Sequence, residues 1–274
     1  MYKELLVGLA CGCATGLQAT DPYEIMNHSM KLAEANWSEA PNYSYTRTDA
    51  NTESGSQPSR KTYQVLMIEG SPYLEIVAEG GHELTPAAAR EEHQRREREA
   101  AKRHSESPRE RRKRIQKYIE DRNRDHAFLS ELSTAFEYSV VDEQQSEKGA
   151  FWLVEGKPKR GYVPSTREGK VLAGMNVRFW IDKATCQWQR IEANVERPVS
   201  IYGLIAKVSP GTRFTLEQQP VSANVWLPSH FTMQLNATAL GFIKKDSIQD
   251  ETYGNYRLVG PSTNGSPALE SSLQ

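Results

Sequence analysis

The sequence is poor in cysteine. Its 274 residues hold three, Cys11, Cys13 and Cys186, and two of them fall in the first nineteen positions. A chain that lost those nineteen on export would keep one thiol, which excludes an internal disulfide and a cysteine zinc site. The fold would then be held by its core alone. Long hydrophobic runs are also lacking. Past the N-terminus there is no apolar stretch of the roughly 18 residues that a membrane-spanning helix requires. The six histidines, His28, His82, His93, His104, His126 and His230, form no HExxH or HxH pattern. There is no GxGxxG, no GK[ST] and no GxSxG, so dinucleotide, phosphate-loop and hydrolase-elbow chemistry has no foothold. Cys186 has no base or orienting group assigned to it by sequence, and a free thiol commonly behaves as a small hydrophobe. No catalytic residue, metal ligand or cofactor is therefore assigned, and the chain reads as non-enzymatic.

What is present begins with a leader. Met1-Tyr2-Lys3-Glu4 precedes LLVGLACGCATGL and then Gln18-Ala19. A charged start, an apolar run of about 13 residues and a small final residue have the shape of a secretory signal peptide spanning 1–19. The alternative is a buried first helix of a cytosolic domain. A lipid-attachment role for Cys11 or Cys13 fits less well, because the apolar run before them is short. Export would carry the mature protein out of the cytoplasm.

The net charge of −1 conceals a separation of charge. Residues 90–124 carry 14 Lys+Arg against 8 Asp+Glu, which leaves 20 against 27 for the rest. This stretch is rich in helix formers. Thr85 caps it, Pro86 opens it, and Ser105-Glu106-Ser107-Pro108 divides it into two helices. A helix polar all round projects into solvent and is held by its own pairs, here Glu91 with Arg95 and Glu99 with Arg103. The run Arg111, Arg112, Lys113, Arg114 is the candidate contact for an anionic surface. An exported protein meets lipid rather than genome, so nucleic acid is not expected as a partner.

Around this arm the pattern is mostly of strands. A helix over 21–35 comes first, with Asp21 as N-cap and Pro22 at its first position. Alternation at Tyr43 and Tyr45, at Tyr63, Val65 and Met67, and in YLEIV predicts three antiparallel strands. DANTESGSQPS reads as a polar, mobile loop between the first two. After the arm, a short amphipathic helix is expected to end near Ala135. FEYSVVD, GAFWLVEG, MNVRFWID, CQWQRIEANVE, TRFTLEQQPV, VWLPSHFTMQLNATA and QDETYGNYRLV follow at sandwich or barrel spacing. The tail 260–274, GPSTNGSPALESSLQ, is low-complexity. The reading is one α+β domain over 20–259. It has a strongly curved antiparallel sheet, an N-terminal helix and an inserted charged helical arm at 85–135.

The stretch VRFWIDKATCQWQRIEA holds two tryptophans across a turn. Period 2 puts Val177, Phe179 and Ile181 on one face, inward, and Trp180 on the other, over Arg190. In the return strand Ile191, Ala193 and Val195 face inward, which puts Trp188 outward as well. A one-residue slip would reverse each assignment.

Phe179-Trp180-Ile181-Asp182 with Trp188-Gln189-Arg190, and Val225-Trp226-Leu227-Pro228 with its strand, resemble the periplasmic outer-membrane lipoprotein-sorting (LolA/LolB-like) carriers. The resemblance spans roughly 22–258. It implies an incomplete β-barrel, helices over its concave face, and acyl chains of lipids or lipoproteins in the apolar space between. The candidate cavity lining is Tyr63, Val65, Met67, Val177, Phe179, Ile181 and Ile191. The expected function is a carrier or sensor for acyl chains. The alternative is an envelope scaffold that docks on a membrane surface or an envelope protein through its basic arm.

Overall fold

The computed structural model describes residues 21–260, apart from 54–55, 148, 167, 201–205 and 240–242. The expected leader at 1–19 and all of the expected tail after Gly260 lie outside the described residues.

Helix α1, Pro22–Glu39, begins as the sequence indicates. The Asp21 carboxylate accepts from the Tyr23 N–H at 2.8 Å, and proline occupies the first turn, where its missing N–H costs nothing. The helix buries Ile25, Met26, Ser29 and Asn36. Asn36 fixes its far end: the amide donates to Gln187 Oε1 at 2.8 Å and accepts from the Trp226 N–H at 3.0 Å.

The charged arm forms α2, Pro86–His104, and α3, Pro108–Ala135. Thr85 caps the first, and a reciprocal Ser107–Glu110 capping box opens the second. The short separate helix expected to end near Ala135 is instead the last part of α3. No glycine or proline falls between Arg109 and Ala135, so nothing in the chain stops the helix. The arm also does not project into solvent. Of the two pairs expected along it, Glu99–Arg103 forms at 2.7 Å, while Arg95 pairs with Glu92 at 2.5 Å instead of Glu91.

The strands are β1 Tyr43–Glu53, β2 Ser59–Ile68, β3 Ser71–Glu79, β4 His82–Glu83, β5 Phe136–Ser146, β6 Gly149–Pro158 and β7 Met175–Asp182. They continue with β8 Trp188–Val195, β9 Val199–Ser200, β10 Ala206–Val208, β11 Arg213–Pro220, β12 Trp226–Ala239 and β13 Ile243–Leu258. They make one sheet in the order β4-β3-β2-β1-β13-β12-β11-β8-β7-β6-β5, with β10 on β12 and β9 on β10. Each pairing is antiparallel. The ends β4 and β5 do not meet, so the sheet is an incomplete barrel. The polar stretch read as a loop after Tyr45 is largely strand. The long β13 gives β1 a partner as far as Glu53, opposite Ser247.

The dense core lies at one end of this sheet. Met175, Val177, Phe179 and Ile181 of β7 pack with Ile191, Ala193 and Val195 of β8, beneath Ile25 and Met26 of α1 and Leu132 and Ala135 of α3. One buried carboxylate ties α3 to the chain that follows β6. Glu131, 5% exposed, accepts from the Tyr162 and Ser165 hydroxyls and from the Thr166 N–H. Burial pushes its pKa up, but the bonds from Ser165, Tyr162 and Thr166 outweigh this and hold it below the usual carboxylate range.

A folded pKa below the unfolded one stabilises the protein above the unfolded value, and the contribution fades as pH falls through the folded value. Glu131→Gln is therefore expected to cost about 1–3 kcal/mol at neutral pH. It should also flatten the acid limb of the stability curve. Thermal unfolding of both proteins across the acid range checks this. Parallel curves would show that Glu131 contributes nothing titratable.

Candidate functional site

The β7–β8 hairpin decides what the two tryptophans do. Asp182 builds its turn by accepting from the Ala184 and Thr185 N–H groups, and Cys186 takes a left-handed φ of 58° within it. Trp180 pairs with Arg190, but Ile181 pairs with Trp188, so Gln189 has no partner residue opposite it. One extra residue is a β-bulge, and it reverses the alternation beyond it. Trp188 therefore shares the face of Ile181 and Phe179. It is 2% exposed and stacks on Phe179, with ring centroids 6.0 Å apart and an interplanar angle of 13°. The outward placement expected for Trp188 is thus corrected by the bulge. Trp180 does lie on the other face, with the Arg190 guanidinium 5.4 Å from its ring and its indole N–H donating to Gln144.

Trp188 stands at the base of a cleft of about 500 Å³ between α1, α3 and β8. Met30, Ala33 and Trp37 line it from α1, and His126, Ser130 and Ser133 from α3. Its lip is braced. Arg122 stacks on Trp37 at 4.1 Å and donates to the Trp37 carbonyl oxygen at 2.6 Å. The His126 ring lies 4.4 Å from Trp37 and is bonded to Glu34. The Trp188 indole N–H is shielded from water and has no acceptor among the described residues. A buried donor left unpaired costs about 1–3 kcal/mol.

The residues expected to line a cavity fall into two groups. Val177, Phe179, Ile181 and Ile191 are 0–3% exposed inside the packed core and do not line the cleft, whose Trp188 stacks on Phe179. Tyr63, Val65 and Met67 stand on β2, with β1, β13, β12 and β11 between them and β8. Both groups nonetheless share one face of the sheet. Register carries the face of Ile191 through Leu216, Phe231, Glu251 and Asp49 to Lys61, two residues before Tyr63. Phe214, Leu216, Phe231, Met233 and Leu235 lie half-buried along this face. Opposite them stands a polar bracket, in which Arg47 grips Asp49 at 2.8 Å, beside Glu251.

The basic run is divided in its roles. Arg111 pairs with Glu69 at 2.7 Å. Arg114 pairs with Glu106 at 2.7 Å and donates to the Glu69 carbonyl and the Ser71 hydroxyl. Arg112 and Lys113 are exposed, with no ion-pair partner among the described residues.

Sequence reasoning did not reach Met30, Ala33, Trp37, His126, Ser130 and Ser133. A signal was available. Positions 30, 33 and 37, and positions 126, 130 and 133, each fall on one helix face. Among the described residues no group of three or more His, Cys, Asp or Glu is placed to hold a metal ion, and no helix is long and apolar enough to cross a membrane.

The fold and cleft define an incomplete β-barrel with a helix-covered hollow. No family model and no curated protein matches the sequence. Solved structures similar to this chain include a LolA superfamily protein from Nitrosomonas europaea, at 8% identity and a TM-score of 0.34, over 86% of this chain and 93% of that one. An outer membrane lipoprotein-sorting protein domain from Vibrio parahaemolyticus matches at 8% identity and a TM-score of 0.35, over 84% and 92%. A DUF1329 family protein from Desulfovibrio piger matches at 12% identity and a TM-score of 0.35, over 89% and 96%.

Proposed function

We propose that the protein is a non-catalytic periplasmic carrier or sensor that holds an acyl chain of a lipid or lipoprotein in the cleft above Trp188. The observation that carries this reading is the cleft itself. It is a hollow of about 500 Å³ between helix and sheet, within the roughly 300–1,000 Å³ usual for ligand sites. Apolar side chains at Met30, Ala33, Trp37 and Trp188 suit methylene groups, each worth about 0.8 kcal/mol when buried. The half-buried apolar face of β11 and β12 gives a longer chain further surface to lie along.

Native mass spectrometry of the purified full chain tests the reading. The expected result is about one acyl lipid per protein, or saturable uptake of an added fluorescent fatty acid. Ala33→Trp fills the cleft from an incompletely buried position of α1, and it should weaken uptake by at least about tenfold, the equivalent of two lost methylenes. A wild-type protein that is empty and ignores the probe sinks the proposal. So does an Ala33→Trp variant that binds as well as the wild type.

A further inference from the structure

A second hollow lies away from the acyl cleft, between β3 and α2. It measures about 370 Å³ and is lined by Tyr73, Leu74, Arg95, Arg98, Glu99 and Lys102. Positions 95, 98 and 102 have i, i+3, i+7 spacing, so the three cations share one helix face. Arg95, Arg98 and Lys102 outnumber Glu92 and Glu99 by three to two.

Both acids are already engaged. Glu92 takes Arg95 at 2.5 Å and also accepts from the Ile76 N–H. Glu99 takes Arg103 at 2.7 Å and Lys102 at 3.6 Å, and the bond from Arg103 holds its carboxyl below the usual range. Arg98 has no ion-pair partner among the described residues and is exposed. Beneath these side chains is the Tyr73 ring, with Arg95 and Arg103 at 6.0 and 5.8 Å from its centroid. Its hydroxyl is shielded from water and has no hydrogen-bond partner among the described residues. Guanidinium and ammonium groups converge here with a surplus of positive charge.

We propose that this hollow binds the phosphate group of a phosphate ester. A tetrahedral oxyanion offers several acceptors at once. A guanidinium fork suits two of its oxygens, and an ammonium acts as a point charge. The surplus of positive charge suits a phosphate monoester, and the volume leaves room for the esterified group. The proposal also separates the cations of the arm by role. Arg103, Arg111 and Arg114 are spent inside the protein, whereas Arg98 and Lys102 face the hollow. It stands independently of the acyl cleft, which Ala33→Trp tests separately.

The experiment uses the full chain with two probes, glycerol phosphate in solution and vesicles of phosphatidylglycerol, each against vesicles of phosphatidylcholine as control. Calorimetry should show binding of glycerol phosphate that weakens as salt is added. Arg98→Ala with Lys102→Ala should reduce affinity at least about tenfold. Arg112→Ala with Lys113→Ala should leave it unchanged. Phosphatidylglycerol vesicles that displace glycerol phosphate, and that no longer retain the Arg98/Lys102 variant, identify a lipid head group as the source. Vesicles that fail to compete identify a soluble ester. The proposal is overturned if neither probe binds, if the Arg98/Lys102 variant binds as the wild type does, or if the Arg112/Lys113 variant is the one that loses binding. The substituted cations are exposed, so unchanged thermal unfolding is expected and checks that the fold is retained.

Discussion

Replacing Phe179 with alanine should cost about 3–5 kcal/mol of stability. The side chain is 0% exposed and sits where three groups converge. Tyr138 meets its ring edge-on at 6.0 Å, Trp188 stacks on it at 6.0 Å, and Ile191 stands directly opposite on β8. Truncation would leave a cavity that these neighbours fill poorly, because each is held elsewhere. Tyr138 donates to the Leu132 carbonyl, and Trp188 is fixed by the bulge at Gln189. The loss should appear as a lower urea midpoint with an unchanged slope. A second consequence reaches the cleft. Without Phe179 behind it, the Trp188 indole loses its backing, so acyl uptake should weaken even in the fraction that stays folded. Phe179→Leu keeps most of the volume and should recover most of the stability but less of the uptake. A destabilisation below about 1 kcal/mol in Phe179→Ala would mean that the core is not organised around this ring.

How much of this was legible in the sequence differs from element to element. Strands β7 and β8 announce themselves because each has one buried and one more solvated face, and period 2 records that difference. The caps Asp21 and Thr85 are equally plain, since a polar side chain before a proline-led helix has few other uses. The bulge at Gln189 leaves no such mark. Either register of TCQWQRIEA gives a plausible inner face, and only the pairing with β7 selects the one that buries Trp188. The cleft was half legible. Its α1 and α3 residues fall on helix faces, but which two faces meet is a tertiary fact. The arm was the least legible part. Its cations look alike in a list of residues, because an arginine bound for a buried carbonyl and one bound for water share the same helix propensity and the same charge. What separates Arg103 from Arg112 is the turn at Glu69-Gly70, more than thirty residues earlier in the chain.

That separation has a large measurable effect. Arg103 is 8% exposed, and its guanidinium donates to Glu99, to the Ile68, Ser71 and Pro72 carbonyls and to the Ser71 hydroxyl. Arg114 reaches the same turn from the start of α3, and Gly70 lets the backbone pass Ile115 closely, at a φ of 83° that a side chain would strain. The two arginines therefore clamp the α2–α3 hairpin to the sheet edge. Arg103→Ala leaves buried carbonyls without donors, and the expected cost is about 3 kcal/mol. Glu99 is partly exposed and can turn to water, which keeps the figure at the lower end. Because the clamp is local, the loss should be local too. Hydrogen exchange of α2 amides should quicken by roughly a hundredfold, while β6 to β8 exchange as before. Arg103→Lys should fall between, since one ammonium cannot span what a planar fork does. Arg112→Ala, an exposed position on the same arm, should change exchange little. Equal effects at Arg103 and Arg112 would return the arm to a solvated helical projection. A local loss at Arg103 alone would show that the most charged segment of the chain is built into the sheet edge by the side chains that make it look unattached.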